Sequence, residues 1–157
     1  MLTIRPMKEA DIEPIIALDA LLSGTGSQRA GFWRGLLSVH LPPEEDISAP
    51  PVPLHLCHVA EESEGGRARL AGFIIGDVQS WQFGLPRHGR IVTLGVHPDS
   101  RREGVATRLT ASLMGVFRKM GLPFVHCLVK PGDPLGDFFA SCGFQSPGFH
   151  ILEKTLD

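Results

Sequence analysis

Val96-His97-Pro98-Asp99-Ser100-Arg101-Arg102-Glu103-Gly104-Val105-Ala106 is the stretch on which the reading of the fold turns. Residues 90–96 before it have a strand-like pattern, and Pro98 stops that strand. Residues 104–120 carry Val105, Leu109, Leu113, Val116 and Phe117 at helical spacing, and Gly121 supplies the residue that closes a helix. A strand therefore runs into a loop that opens a long helix. Small residues at Gly104 and Ala106 let a ligand approach the backbone, and the N–H groups of a first helical turn face outward. Such a turn favours phosphate through direct hydrogen bonds and the helix dipole. Arg101 and Arg102 add two cationic partners. The loop lacks the Lys-Ser/Thr pair of a nucleotide P-loop, and its glycine spacing is not the dinucleotide fingerprint.

Upstream, residues 2–5 alternate apolar and polar as a short first strand, ended by Pro6. Ile12, Ile15, Ile16, Leu18 and Leu22 give residues 10–22 one helical stripe, with Asp11 as its cap and Pro14 tolerated near its first turn. Phe32, Trp33, Leu36 and Leu37 predict a second short helix, and the proline-rich residues 41–53, with Glu44-Glu45-Asp46, an exposed loop. Residues 54–61 and 70–78 read as strands joined by a polar hairpin turn at 62–67, with Gly72 and Gly76 marking close packing or a bulge. Residues 81–86 form a loop with large apolar side chains. Beyond the long helix come a strand at 124–129, a short helix at 135–141 and a last strand at 149–156. The order β-α-α-β-β-β-α-β-α-β predicts a mixed α/β sheet with helices on its faces, as a single domain over residues 1–157.

A chain of 157 residues is near the usual size of one domain and can bury a core without a disulfide scaffold. At 43% hydrophobic and 20% charged residues its composition is ordinary for a globular protein, which excludes wholesale disorder. Fifteen Lys and Arg against 17 Asp and Glu leave a formal charge of -2. No broad field draws in nucleic acid or anionic membrane, and neither is expected as a partner. Cys57, Cys127 and Cys142 form no close pair and no zinc spacing, so a reducing compartment and no metal site are expected. Lys8, Glu9 and Asp11 near the N-terminus are unlike a signal peptide, and the apolar runs are shorter than a membrane span. A cytoplasmic location is the expectation.

Arg101, Gly104 and Ala106 fill the three positions of the pattern Gln/Arg-x-x-Gly-x-Gly/Ala. Three further segments stand in order around it: Thr3-Ile4-Arg5-Pro6 followed by Asp11-Ile12, Leu70-Ala71-Gly72-Phe73-Ile74-Ile75, and Phe138-Phe139-Ala140-Ser141-Cys142-Gly143-Phe144. With these the sequence resembles the GCN5-related N-acetyltransferase (GNAT) superfamily over nearly its whole length, and in part its ribosomal-protein alanine acetyltransferases. The resemblance implies a GNAT-like acyltransferase fold, its fourth and fifth strands splayed apart, and acetyl-CoA as the donor. It implies main-chain contacts to the pantetheine arm along Leu94, Gly95 and Val96. It also implies a pyrophosphate site over Arg101, Arg102, Glu103, Gly104, Val105, Ala106 and Thr107, with Phe139 packing against the cofactor. The implied reaction is acetyl transfer to a primary amine of a small molecule or peptide, by direct attack.

The chain departs from the family where many members carry a tyrosine that protonates the leaving thiolate. It contains no tyrosine, and Phe139 stands at the matching place. Gly132-Asp133 replaces a frequent asparagine. Coenzyme A thiolate is a tolerable leaving group, so solvent can supply its proton. The amine must be neutral to attack, which calls for a carboxylate, an imidazole or a water chain. Counting back from Gly143-Phe144 puts Cys127 near the fifth-strand glutamate that serves as base in the ribosomal-protein enzymes, while His126 beside it is chemically the better base. Alternation sends the two to opposite faces, so either one is the candidate. Asp77 either faces the acceptor or starts a turn, His97 reads as a loop residue, and His55 and His58 face opposite ways. Trp33, Trp81 and Phe83 suit the wall of an acceptor pocket, a protein-docking surface or the contacts of a homodimer. The second function class is a catalytically degenerate module that binds acyl-CoA or a protein partner.

Overall fold

A computed structural model describes residues 1–24, 30–37, 56–80, 82–146, 148 and 150–156. Backbone contacts divide the chain into two compact units, Met1–Cys127 and Leu128–Asp157. In the first, β1 (Leu2–Pro6), α1 (Ile12–Ser23), α2 (Ala30–Leu37), β2 (Cys57–Glu64), β3 (Arg67–Gln79), β4 (His88–Val96), α3 (Val105–Lys119) and β5 (Val125–Cys127) follow in order. The strands form one sheet in the order β1-β2-β3-β4-β5. The first three pairings are antiparallel and the β4–β5 pairing is parallel, which makes the sheet mixed.

Each face of this sheet buries a different set of helices. On one face, Phe73 and Ile75 of β3, with Cys57 and Val59 of β2, pack against Met7, Ile15, Leu18 and Trp33. On the other, α3 buries Val105, Leu109, Leu113 and Phe117. A Cβ placed on Gly76 would stand 2.9 Å from both Leu113 and Phe117, so glycine is what lets α3 approach β3 this closely. Of the two predicted readings of Gly76, close packing holds; the β3–β4 register does shift between Ile75 and Gly76, but the extra residue of that bulge is on β4. Among the described residues no helix is long and apolar enough to cross a membrane.

Several expectations need correction. Trp33 is fully buried, edge-on to Phe73 at 5.2 Å, with its indole N–H donating to Asp19 at 2.7 Å, so it belongs to the core and lines no docking surface. Asp11 stands at the N-cap position of α1 but its side chain caps no amide of α1; it closes a capping box on the preceding short turn at Glu9–Asp11 instead. Its carboxylate is taken up by Arg5 at 2.7 Å and by the Lys8 N–H at 2.7 Å. The predicted strand at 54–61 forms as Cys57–Glu64, and the hairpin turn tightens to Gly65-Gly66. Residues 54–55, the proline-rich loop at 41–53 and Trp81 lie outside the described residues. The strand at 124–129 is only Val125–Cys127, because pairing with β4 stops at Ile91.

In the second unit, α4 (Pro134–Ser141) is capped by Asp133, whose carboxylate accepts from the Leu135 N–H at 2.9 Å. Gly143, at φ +88, ends the helix, with the Phe144 N–H returning to the Phe139 carbonyl at 3.0 Å. The described part of the last strand predicted at 149–156 does not form: residues 150–156 have no regular structure and are exposed, Leu152 at 93%. Apolar residues such as Ile151, Leu152 and Leu156 do not by themselves make a strand, which needs an edge to pair with.

Candidate active site

The parallel β4–β5 ladder has three register pairs, Gly89 with Val125, Arg90 with His126 and Ile91 with Cys127. Antiparallel pairing of β4 with β3 continues to Val96, so residues 92–96 keep one edge that no strand among the described residues pairs. That divergence is the opening expected between the fourth and fifth strands. Leu94 and Val96 are half-buried and Gly95 is buried, and their free edge offers main-chain N–H and C=O groups.

A turn at Pro98–Ser100 carries β4 into the loop, and His97 accepts from the Asp99 N–H at 3.2 Å. His97 also meets the Arg69 guanidinium at 3.2 Å, and Arg69 bonds Ser100 at 3.0 Å and Glu62 at 2.6 Å. This network fixes the base of the loop. Beyond it Arg102 has φ +68 and Gly104 has φ +76, both left-handed. Holding a non-glycine residue such as Arg102 there costs about 1–2 kcal/mol. No side chain caps α3 at Gly104, and nothing lies within 4 Å of where a Cβ on Gly104 would stand. Arg101, Arg102, Glu103 and Thr107 are exposed, Ala106 is half-buried, and Val105 is anchored in the core. The result is an open concave turn whose first amides lack helical acceptors, with two guanidinium groups beside it.

The facing of β5 follows from glycine. A Cβ on Gly89 would stand 2.9 Å from the Phe117 ring, so Gly89 faces α3, as do its strand neighbour Ile91 and their register partners Val125 and Cys127. Arg90 and His126 point to the opposite face. There Arg90 donates to Asp77 of β3 at 3.0 Å through Nε and again through its terminal nitrogen, so Asp77 lies within the strand as an ion-pair partner and starts no turn. Asp77, Arg90 and His126 thus form a polar row across β3, β4 and β5. Burial, with the nearby His88, holds the His126 imidazole below its ordinary pKa of 6.5. Burial pushes the Cys127 thiol up. Near neutrality His126 offers a basic lone pair, whereas Cys127 stays a protonated thiol.

His88 is the residue that sequence reasoning missed. It is buried at the start of β4, two residues before Arg90 and on the same face, and its ring lies 4.7 Å from that of His126. The predicted strand began at Arg90, which left His88 in a loop; extending the alternation by one step would have brought it in. Phe139 is buried, with the Phe138 and Phe144 rings 5.1 and 5.2 Å away. Phe83, at φ +47, is fully exposed.

The family model described as "Acetyltransferase (GNAT) family" matches residues 31–144. No curated protein matches the chain in sequence. Among solved structures, the aminoglycoside acetyltransferase AAC(6')-Iy, bound to a bisubstrate analogue of coenzyme A and monomethyl-acetylneamine, is similar with a TM-score of 0.70 and 15% identity over 100% of this chain and 99% of that one. A ribosomal-protein-alanine N-acetyltransferase from Brucella melitensis biovar Abortus 2308 has a TM-score of 0.66 and 15% identity over 99% of each chain. The aminoglycoside 6'-N-acetyltransferase AAC(6')-Ih from Acinetobacter baumannii has a TM-score of 0.70 and 14% identity over 100% of this chain and 99% of that one. The mixed sheet flanked by helices is therefore the GNAT-like fold, and with the family model spanning most of its length the chain belongs to the GNAT acetyltransferase family.

Proposed function

We propose that this protein transfers an acetyl group from acetyl-CoA to a primary amine of a small molecule or peptide. The observation that carries the reading is the turn at residues 101–107, where left-handed Arg102 and Gly104 lead into an uncapped α3 next to the unpaired edge of β4. Relatives of this fold have been solved with coenzyme A bound, which supports assigning the turn to the pyrophosphate. Amides of the turn, with Arg101 and Arg102, bind the diphosphate, and the free edge of Leu94, Gly95 and Val96 bonds the pantetheine arm. The donor's thioester then lies along the same edge, where a β4 N–H polarises its carbonyl oxygen.

His126 accepts the proton that the acceptor amine loses as its nitrogen attacks the thioester carbon. The N–C bond forms, the C–S bond breaks, and coenzyme A leaves as a thiolate that water protonates. Because burial and His88 hold His126 below 6.5, turnover is sustained at neutral pH and falls as the pH drops through its depressed pKa. Cys127 faces α3 and is protonated, so it takes no part in proton transfer.

The test is release of coenzyme A thiol in the presence of amines, polyamines, amino acids and peptides. On a confirmed acceptor, His126→Ala should lower kcat with little change in affinity for acetyl-CoA, and Cys127→Ala should keep the parent rate and pH profile. Equal rates for both variants and the parent would remove His126 from the reaction. Tight acetyl-CoA binding with no turnover on any amine would favour a binding module, consistent with a chain that has no tyrosine.

A further inference from the structure

We propose that His88 is a positioning residue that sets the orientation and the proton state of His126, a proposal that rests on the reading of His126 as the base. Three rings meet where β4 and β5 begin. His88 stacks on Phe124 with centroids 4.9 Å apart, Phe124 lies 4.9 Å from His126, and His88 lies 4.7 Å from His126. This triangle limits the rotation of the His126 ring. His88 is itself fixed: its Nδ1 lies 2.8 Å from the Pro86 carbonyl, which can only accept, so Nδ1 carries a hydrogen. The bond locks both tautomer and ring plane.

Electrostatics links the two rings. Two imidazoles this close do not both take a charge freely, so a proton on one opposes a proton on the other. Other groups face the pair as well. Arg90, the register partner of His126, lies beside both rings on β4, and Asp77 on β3 offsets its charge through two hydrogen bonds. Gln79 of β3 is the register partner of His88, and Cys127 faces away. His88 thus opposes a proton on His126 and favours the neutral form of His126 that can receive one.

The experiment uses the full chain and two substitutions. His88→Phe keeps a flat ring against Phe124 and removes both ring nitrogens; His88→Asn keeps a donor towards Pro86 and removes the ring. NMR of the imidazole signals follows the titration of His126, and the pH–rate profile and the KM for acetyl-CoA are measured on a confirmed amine. The expected result is an upward move of the His126 midpoint by about one pH unit in both variants. The acid limb of kcat should move with it, lowering turnover about tenfold well below the midpoint. The KM for acetyl-CoA should not change. A His126 midpoint equal to the parent's in a folded variant would overturn the proposal, and His88→Asn decides if His88→Phe fails to fold. A midpoint that moves while the pH–rate profile does not, together with a His126→Ala variant of unchanged rate, supports the coupling of the rings and overturns His126 as the base.

Discussion

Replacing Gly104 separates backbone strain from occlusion at the same position. Gly104 has φ +76, and a Cβ there would meet nothing within 4 Å. Any L side chain at this position therefore carries the left-handed penalty of about 1–2 kcal/mol without a clash. Against a total stability of roughly 5–15 kcal/mol the chain stays folded. The melting temperature should fall by about 2–4 °C for each kcal/mol. Gly104→Ala and Gly104→Trp carry the same strain, but only the indole fills the space over the amides at the start of α3. Each hydrogen bond to a charged phosphate oxygen contributes about 1.5–3 kcal/mol. Losing two of them weakens binding by roughly 3–6 kcal/mol, or about 10²- to 10⁴-fold in Kd. Calorimetric titration of coenzyme A into both variants, with melting curves alongside, reads both effects. Gly104→Ala should bind within about tenfold of the parent, and Gly104→Trp should show the large loss. Equal affinities for the two variants, both folded, would refute the placement of the pyrophosphate at this turn.

Three further outcomes follow from packing and charge. Trp33→Phe removes the 2.7 Å bond to the buried Asp19 carboxylate and should cost about 1.5–3 kcal/mol, seen as a lower urea midpoint. Gly89→Ala pushes a methyl group to 2.9 Å from the buried Phe117 ring and should cost about 1–3 kcal/mol, seen as a drop in Tm. Burial raises the Asp11 carboxyl pKa, but hydrogen bonds from the Arg5 guanidinium and the Lys8 N–H outweigh it and hold the group below 3.8. A depressed carboxyl stabilises the fold above its unfolded pKa and loses that contribution as the pH falls through the folded one, so Asp11→Asn should lower stability at neutral pH and flatten its decline below about pH 4 in urea titrations.

Local chemistry made the β4–α3 segment legible. Pro98, Gly104 and Gly121 each demand a particular backbone: the strand ends at Val96 as expected, though it starts at His88 rather than Arg90, and the helix forms within a residue of expectation at each end. The helix at 135–141 was equally readable, because α4 forms at Pro134–Ser141 and Gly143 closes it in the left-handed conformation. Features that depend on distant partners were not readable. Trp33 carries the same apolar bulk on a surface or in a core, and only the meeting of Asp19 and Phe73 around it decides. Asp11 looked like a cap because its attachment to Arg5 is a tertiary contact. The described part of the strand at 149–156 failed for a related reason: apolar residues describe side chains, whereas a strand also needs a pairing edge.

The facing of the catalytic candidates shows most sharply why the rest stayed out of reach. Counting back by twos from Val96 and Leu94 would place Val92 and Arg90 on the same face as those residues. In the fold, Gly72 pairs with Val96 and Gly76 pairs with Ile91, and a Cβ on either glycine would run into α3. Val96 and Ile91 therefore share a face although five positions separate them. Val92 is the extra residue of a bulge: Ile75 pairs with Thr93 and Gly76 with Ile91, leaving Val92 between them to pack against the core cluster on the α1 face. That single insertion inverts the facing of everything earlier in β4 and, through the parallel ladder, of β5. It turns Arg90 and His126 away from α3 and turns Cys127 towards it. Without the bulge the same ladder would place Cys127 opposite α3 and bury His126 against it. The choice between the two candidate bases thus depends on one residue of strand register, which no count along the sequence reveals.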